Sequence, residues 1–348
     1  MKDFNFCEIT RPLLDWYEKN KRDLPWREDP TPYRVWVSEI MLQQTRVEAV
    51  KEYYLRFMDE LPTVEDLARC EEEKLLKLWE GLGYYSRARN LQKASRQILS
   101  QWQGEFPQSA KDLQTLSGIG SYTAGAIASI AYGQPTPAID GNVFRVASRL
   151  EENPSVISDT KYRKYLEEKL ALAYPKTGKG CSDFTQSLFE LGALICKPQN
   201  PECFRCPLRN LCRAQSNGTQ ALYPVLPQKK AKREENVYVF LIRTPQGICV
   251  RRREEGVLKG MNEFPSCVYT CESEKEILDG WGIWDFTEIK RKKYVHIFTH
   301  IRWDITCILI ETESAPFDAY HLDEIEETLS IPTAFKQCLD ILTQKENI

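Results

Sequence analysis

The chain has 348 residues, 42% of them hydrophobic and 28% charged, which is enough for two domains with cores of their own. No apolar run is long enough to span a bilayer, so a membrane partner is not expected. The net charge is −3, with +1 over residues 1–225 and −4 over the rest, which excludes a general positive field; any polyanion must be met by a placed patch.

From Phe6 to about Arg213 the hydrophobic pattern predicts helices almost throughout. Thr31 and Pro32 read as N-cap and first residue of a helix running through VWVSEIMLQQTRVEAVKEYYLRFM to Pro62. Further helices are predicted at Thr63–Glu80, Ser86–Gln101, Ser109–Leu116, Tyr122–Tyr132, Asn142–Leu150, Lys161–Leu172 and Ser182–Ile195. There is no internal repeat.

Cys196, Cys203, Cys206 and Cys212 follow in the spacing Cys-x6-Cys-x2-Cys-x5-Cys. A short Cys-x2-Cys pair flanked by two outer cysteines is a thiolate cage for a 4Fe-4S cluster. Zinc is the rival, but zinc sites usually pair two short knuckles, and the long arms here favour the larger cluster. Pro198, Pro201 and Pro207 mark a loop wrapped around something. The remaining cysteines, Cys7, Cys70, Cys181, Cys249, Cys267, Cys271, Cys307 and Cys338, form no disulfide framework. The N-terminus shows neither an apolar signal nor an Arg-rich transit pattern, so a reducing cytoplasmic home, nucleoid-associated in a bacterium, is expected.

The next segment, SNGTQALYPVLPQKKAKREE, is polar, proline-containing and charged, as an exposed connector is. The expected division is therefore residues 1–215, a linker at 216–235, and a second domain at 236–348. Beyond the linker NVYVFLIR, GICVRRR, FPSCVYT and YVHIFTHIRWDITCILIE are β-branched and aromatic, and a helix is predicted over Pro332–Gln344. This half reads as α+β.

Two short motifs carry possible chemistry. Gly118-Ile119-Gly120 joins two predicted helices, and its glycines would leave amide N–H groups free to meet a phosphate, although a plain helix C-cap accounts for them as well. Asp140, in PAIDGNVFR, stands just before an apolar helical run, where an N-cap role would also suffice.

The order of these motifs, glycine hairpin, then Asp140, then the cysteine cage, resembles the helix-hairpin-helix superfamily of DNA glycosylases, and the segments are most similar to adenine glycosylases of the MutY type. The likeness runs from about Leu13 to Arg213 and continues more weakly to the C-terminus. It implies a mainly α helix-hairpin-helix glycosylase fold with an iron-sulfur loop. In Pro32–Thr45, Glu39 is a single carboxylate among Val37, Ile40, Met41 and Leu42. Burial would raise its pKa and make it a proton donor near neutrality. The resemblance makes Glu39 the general acid that protonates a flipped adenine, Gln44 a wedge where that base leaves, and Tyr84 a second wedge beside the partner base. Asp140 would stabilise the developing oxocarbenium ion, with Asn142 orienting the carboxylates. Tyr122 occupies the position at which strand-nicking relatives carry an attacking lysine, so base removal without a Schiff base is expected, with Tyr122 bonded to Asp140. Gly118 and Gly120 would grip the DNA backbone. Ser117 departs from the family, which usually has proline there.

In the second half, Arg251–Pro265 looks like the start of a Nudix-type domain. CESEKEILDGWGIWDF lacks the spaced carboxylates that a magnesium-dependent Nudix hydrolase needs, so a reader rather than a hydrolase is expected. Phe298-Thr299-His300 matches a Phe-Ser-His loop with which the family checks for 8-oxoguanine. The expectation is a monomeric enzyme that removes adenine opposite 8-oxoguanine or guanine in double-stranded DNA. Rivals are a glycosylase and lyase for oxidised pyrimidines, a mismatch thymine glycosylase, or a catalytically silent lesion binder.

Overall fold

The computed structural model describes residues 3–228, 231–269 and 272–343. Lys229 and Lys230 of the expected connector, Cys271, and Gln344 at the end of the expected last helix lie outside the described residues. The chain divides into two compact units: Met1–Cys70 with Arg89–Gln228, and Glu71–Ala88 with Lys229–Ile348. Residues 71–88 thus pack with the C-terminal half, although the expected boundary left them in the first domain.

The first unit is helical. Thr31 accepts from the N–H of Arg34 and Pro32 opens the helix Pro32–Leu42, which is buried on nearly every side. The single helix expected to reach Pro62 is instead two, Pro32–Leu42 and Val47–Glu60, parted at residues 43–46. Gln44 takes a left-handed φ of 61° in that break, a turn signalled by no glycine or proline. The helix expected at 63–80 is also broken, into Val64–Arg69 and Glu72–Leu78, at extended Cys70 where the first unit ends. Two helices end in π turns: Ser121–Ala126 continues as Ile127–Ala131, and Lys179–Glu190 as Leu191–Ile195.

One core of this unit joins the N-terminal residues Phe6, Ile9 and Leu13 to Phe144, Leu166, Phe184 and Leu188. It holds the helix Gly141–Glu151 between Thr160–Ala173 and Lys179–Glu190. The stretch expected as a free connector is partly docked: Asn217 and Thr219 bond Glu152, the carbonyls of Gln220 and Tyr223 accept from Arg149, and Val225 bridges Val156. Its polar composition serves these bonds rather than solvent alone.

The second unit is built on a sheet of β1 (Arg233–Thr244), β2 (Gly247–Arg252), β3 (Asn262–Glu263), β4 (Ser266–Val268), β5 (Thr287–Ile297), β6 (Ile301–Glu311) and β7 (Asp318–Tyr320). The order is β3-β2-β1-β6-β5, with β1 and β6 parallel and β5 and β6 antiparallel. Alternation sends Val237, Val239 and Leu241 to one face with Trp303 and Ile305, and Phe240 and Ile242 to the other with Ile308 and Ile310. The C-terminal residues Ala334, Phe335 and Cys338 cover the first face, and Leu278 and Ile283 the second. On the helix Glu274–Gly280, the Glu276 carboxylate accepts from the N–H of the N-cap Ser273 and Glu274 pairs with Arg291, so these carboxylates are engaged. Among the described residues no helix is long and apolar enough to cross a membrane.

Candidate active site

Glu39, Tyr122, Asp140 and Asn142 line one cavity of about 650 Å³ in the helical unit. Glu39 comes from the third turn of the helix Pro32–Leu42 and is only 5% exposed. Burial pushes its carboxyl from 4.5 up to about 7, aided by the negative charge of Asp140 and opposed by a hydrogen bond from Tyr122 and by Arg27. The Tyr122 hydroxyl donates to Glu39 Oε2, so the bond expected to Asp140 goes to the other carboxylate. Helix Ser121–Ala126 packs on helix Pro32–Leu42, which fixes that choice.

Asp140 caps the helix Gly141–Glu151. Its Oδ1 accepts from the N–H of Val143 at 2.7 Å and its Oδ2 from the amide of Asn142 at 2.7 Å. Burial raises this carboxyl too, while those donors and Arg145 pull against the rise. The helix N-terminus adds a partial positive charge. The two carboxyls therefore differ in kind: Glu39 is buried with one phenol as its hydrogen-bond donor, Asp140 has a set of N–H donors suited to an anion.

Asn142 is itself held. Arg145 Nη2 donates to Asn142 Oδ1 at 2.8 Å and to the carbonyl of Gly192 at 2.9 Å, and its Nε donates to the carbonyl of Cys196 at 2.7 Å. Asn142 leaves no room for a side chain at Gly192, where a Cβ would lie 2.5 Å from its own. One turn on, Arg149 reaches the carbonyls of Lys197 and Pro198 and, at 3.3 Å, the sulfur of Cys196. Sequence reasoning passed over Arg145 and Arg149, though two arginines four apart on an apolar helix are a readable signal. It also passed over Glu190, 1% exposed in the same cavity and paired with Arg22 and Arg27, both at 2.8 Å.

The four cage cysteines are brought together. Burial pushes Cys206 up to about 12 and Cys212 up to about 11, and the charges of neighbouring cage thiols add to both rises. All four are free thiols, and Gln220 stands 3.9 Å from the sulfur of Cys203. Among the described residues no three His, Cys, Asp or Glu side chains close on a single metal ion.

Gly118 takes a φ of +76°, and a Cβ there would lie 2.7 Å from that of Asn90. Gly120 precedes the helix Ser121–Ala126. The N–H of Ser117 donates to Gln97 Oε1 at 2.8 Å, a bond that proline could not make. Gln44, exposed, lines a neighbouring cavity of about 750 Å³ together with Tyr122, Asp140 and Asn142.

Tyr84, Phe298, Thr299 and His300 belong to the other unit. Tyr84, 47% exposed, holds a left-handed φ of 48°, and Arg87 lies 5.7 Å from its ring while bonding the carbonyls of Leu82 and Gly83. Its hydroxyl meets that of Thr299 at 2.6 Å. Phe298 packs edge-on to Trp303 at 4.8 Å, leaving Thr299 and His300 exposed at the β5–β6 turn.

Residues 37–172 match the HhH-GPD superfamily of base excision DNA repair proteins, and residues 238–340 match a NUDIX domain. Among solved structures, a thermostable thymine-DNA glycosylase aligns with a TM-score of 0.56 at 28% identity, over 61% of this chain and 97% of that one. A non-covalent endonuclease III–DNA complex aligns at 0.52 and 27%, over 63% and 100%. The helical unit is thus that of a helix-hairpin-helix DNA glycosylase. Adenine DNA glycosylases of Arabidopsis thaliana, Rattus norvegicus and Buchnera aphidicola from Schizaphis graminum are 36%, 34% and 33% identical, over 85%, 84% and 87% of this chain. The chain spans 56% of the plant protein, 68% of the rat protein and 87% of the Buchnera protein. It belongs to the adenine DNA glycosylase family.

Proposed function

We propose that the chain removes adenine from duplex DNA where it stands opposite 8-oxoguanine or guanine, and leaves the strand intact. The observation that carries this reading is the pairing, in one cavity, of a protonatable Glu39 with an Asp140 furnished with N–H donors. Adenine leaves poorly as an anion, so protonation of a ring nitrogen by Glu39 must accompany cleavage of the bond to C1′. The bonding electrons go to the base, and the cation on the sugar forms beside the Asp140 carboxylate. Water then adds to C1′ and gives up its proton to a carboxylate. Tyr122 donates to Glu39 Oε2 and so orients that carboxyl, and it supplies no amine, so strand scission is not expected.

The cysteine cage suits a 4Fe-4S cluster, held by Cys196, Cys203, Cys206 and Cys212. The long Cys-x6-Cys and Cys-x5-Cys arms favour the larger cluster over zinc, which usually takes two short knuckles, and Cys206 and Cys212 are shielded from solvent as an enclosed cluster needs. When bound, the cluster would supply structural closure of this loop, and no step of the reaction needs it. Gly118 and Gly120 present backbone amides to a phosphate, Gln44 and Tyr84 enter the duplex, and Phe298, Thr299 and His300 read the base opposite adenine.

The test is single-turnover cleavage of duplexes with one adenine opposite 8-oxoguanine, guanine or thymine, with and without alkali. Breaks only after alkali, fastest opposite 8-oxoguanine, are expected. Breaks without alkali would indicate a lyase, and no abasic product in any duplex would overturn the reading.

A further inference from the structure

Helix Glu72–Leu78 and the turn bearing Tyr84 lie within the helical half of the sequence but in the compact unit of the sheet. Glu73 is where three elements of that unit converge on one carboxylate. Its Oε1 accepts from Asn262 Nδ2 at 2.6 Å and from the backbone N–H of Ser330 at 2.9 Å, and its Oε2 from Arg252 Nη2 at 2.6 Å. The donors come from β3, from the segment before the last helices, and from β2. Lys77 on the same helix donates to the carbonyl of Leu329 at 3.0 Å, and the Ser330 hydroxyl to that of Leu76 at 3.1 Å. The Arg252 side chain is 51% exposed, so solvent screens that ion pair, and the part-buried bonds from Asn262 and Ser330 are the ones that anchor Glu73.

Beyond the C-terminal end of that helix stands Tyr84. A left-handed backbone is unfavourable for a residue with a Cβ and persists only where the surroundings over-determine it. Here Arg87 holds the two preceding carbonyls and Thr299 the hydroxyl. The Arg87 bonds are local to this turn, whereas the Thr299 bond depends on the helix being in register with the sheet that bears the β5–β6 turn.

We propose that Glu73 is a positioning residue for discrimination of the opposite base: it sets the register of helix Glu72–Leu78 on β2 and β3, and thereby the Tyr84–Thr299 pair. The base opposite adenine is then read by one assembly within the C-terminal unit. This rests on the reading above that Tyr84 and Thr299 face that base.

Single-turnover rates opposite 8-oxoguanine and opposite guanine, in wild type, Glu73→Gln, Tyr84→Ala and the double variant, test it. Glutamine keeps the size of Glu73 but replaces one acceptor oxygen with a donor. The ratio of the two rates should fall about five-fold in Glu73→Gln, and in the Tyr84→Ala background the same change should leave the ratio where Tyr84→Ala put it. Because both rates come from one preparation, loss of folded protein cancels in the ratio. An equal fall in both backgrounds, or an unchanged ratio in Glu73→Gln, would overturn the positioning role. A wild type with no preference would overturn the functional reading and this one with it.

Discussion

Glu39→Gln separates the chemistry of a buried carboxyl from its structural effect, because the two move in opposite directions. In the folded protein the carboxyl titrates near 7 against an ordinary 4.5. Between those values the native state keeps a proton that the unfolded chain has released, so stability falls as pH rises through the window and levels off above it. The gap corresponds to about 3 kcal/mol. Glutamine does not titrate, and its carbonyl still accepts from Tyr122. The stability of Glu39→Gln relative to wild type should therefore grow from nothing below pH 4.5 to about 3 kcal/mol above pH 7. Adenine removal should fall by roughly 10²–10⁴-fold for loss of the proton donor. Wild-type turnover should decline about ten-fold per pH unit above pH 7, an inflection absent from the variant, while both should lose turnover at acid pH as Asp140 takes up a proton. Denaturant melts and single-turnover assays from pH 4 to 9 measure both. An uninflected wild-type rate, a variant within ten-fold of wild type, or a stability difference that does not change with pH would refute the assignment.

Three further outcomes follow from the geometry. Asp140→Asn should lose turnover by 10²–10⁴-fold, read by single-turnover cleavage, while binding of an adenine–8-oxoguanine duplex by gel shift is retained, since the amide oxygen still accepts from Val143. Gly192→Ala places a Cβ 2.5 Å from that of Asn142, so turnover should fall at least about ten-fold, with a smaller change in duplex affinity. Ser117→Pro removes the donor to Gln97 and should lower stability by about 1 kcal/mol in denaturant melts.

Much of this protein is legible along the chain because local chemistry determines it. Thr31 with Pro32, Ser109 and Asp140 start their helices where the capping residues stand, and the alternation in NVYVFLIR makes β1 a strand with two apolar faces. Cys196, Cys203, Cys206 and Cys212 are legible as a set because ligand spacing is itself a local property. What the sequence alone could not decide is where the chain turns without a turn residue and which side chains then meet. The break at 43–46 puts Gln44 into a left-handed conformation that neither glutamine nor its neighbours favour. Tyr122 finds Glu39, 83 residues away, rather than Asp140, because two helix faces pack together. Residues 71–88 leave the helical unit for the sheet because Glu73 meets partners about 180 to 260 residues further along. Hydrogen-bond donors far apart in sequence carry no periodicity that announces their meeting; only the packed cores bring them within reach.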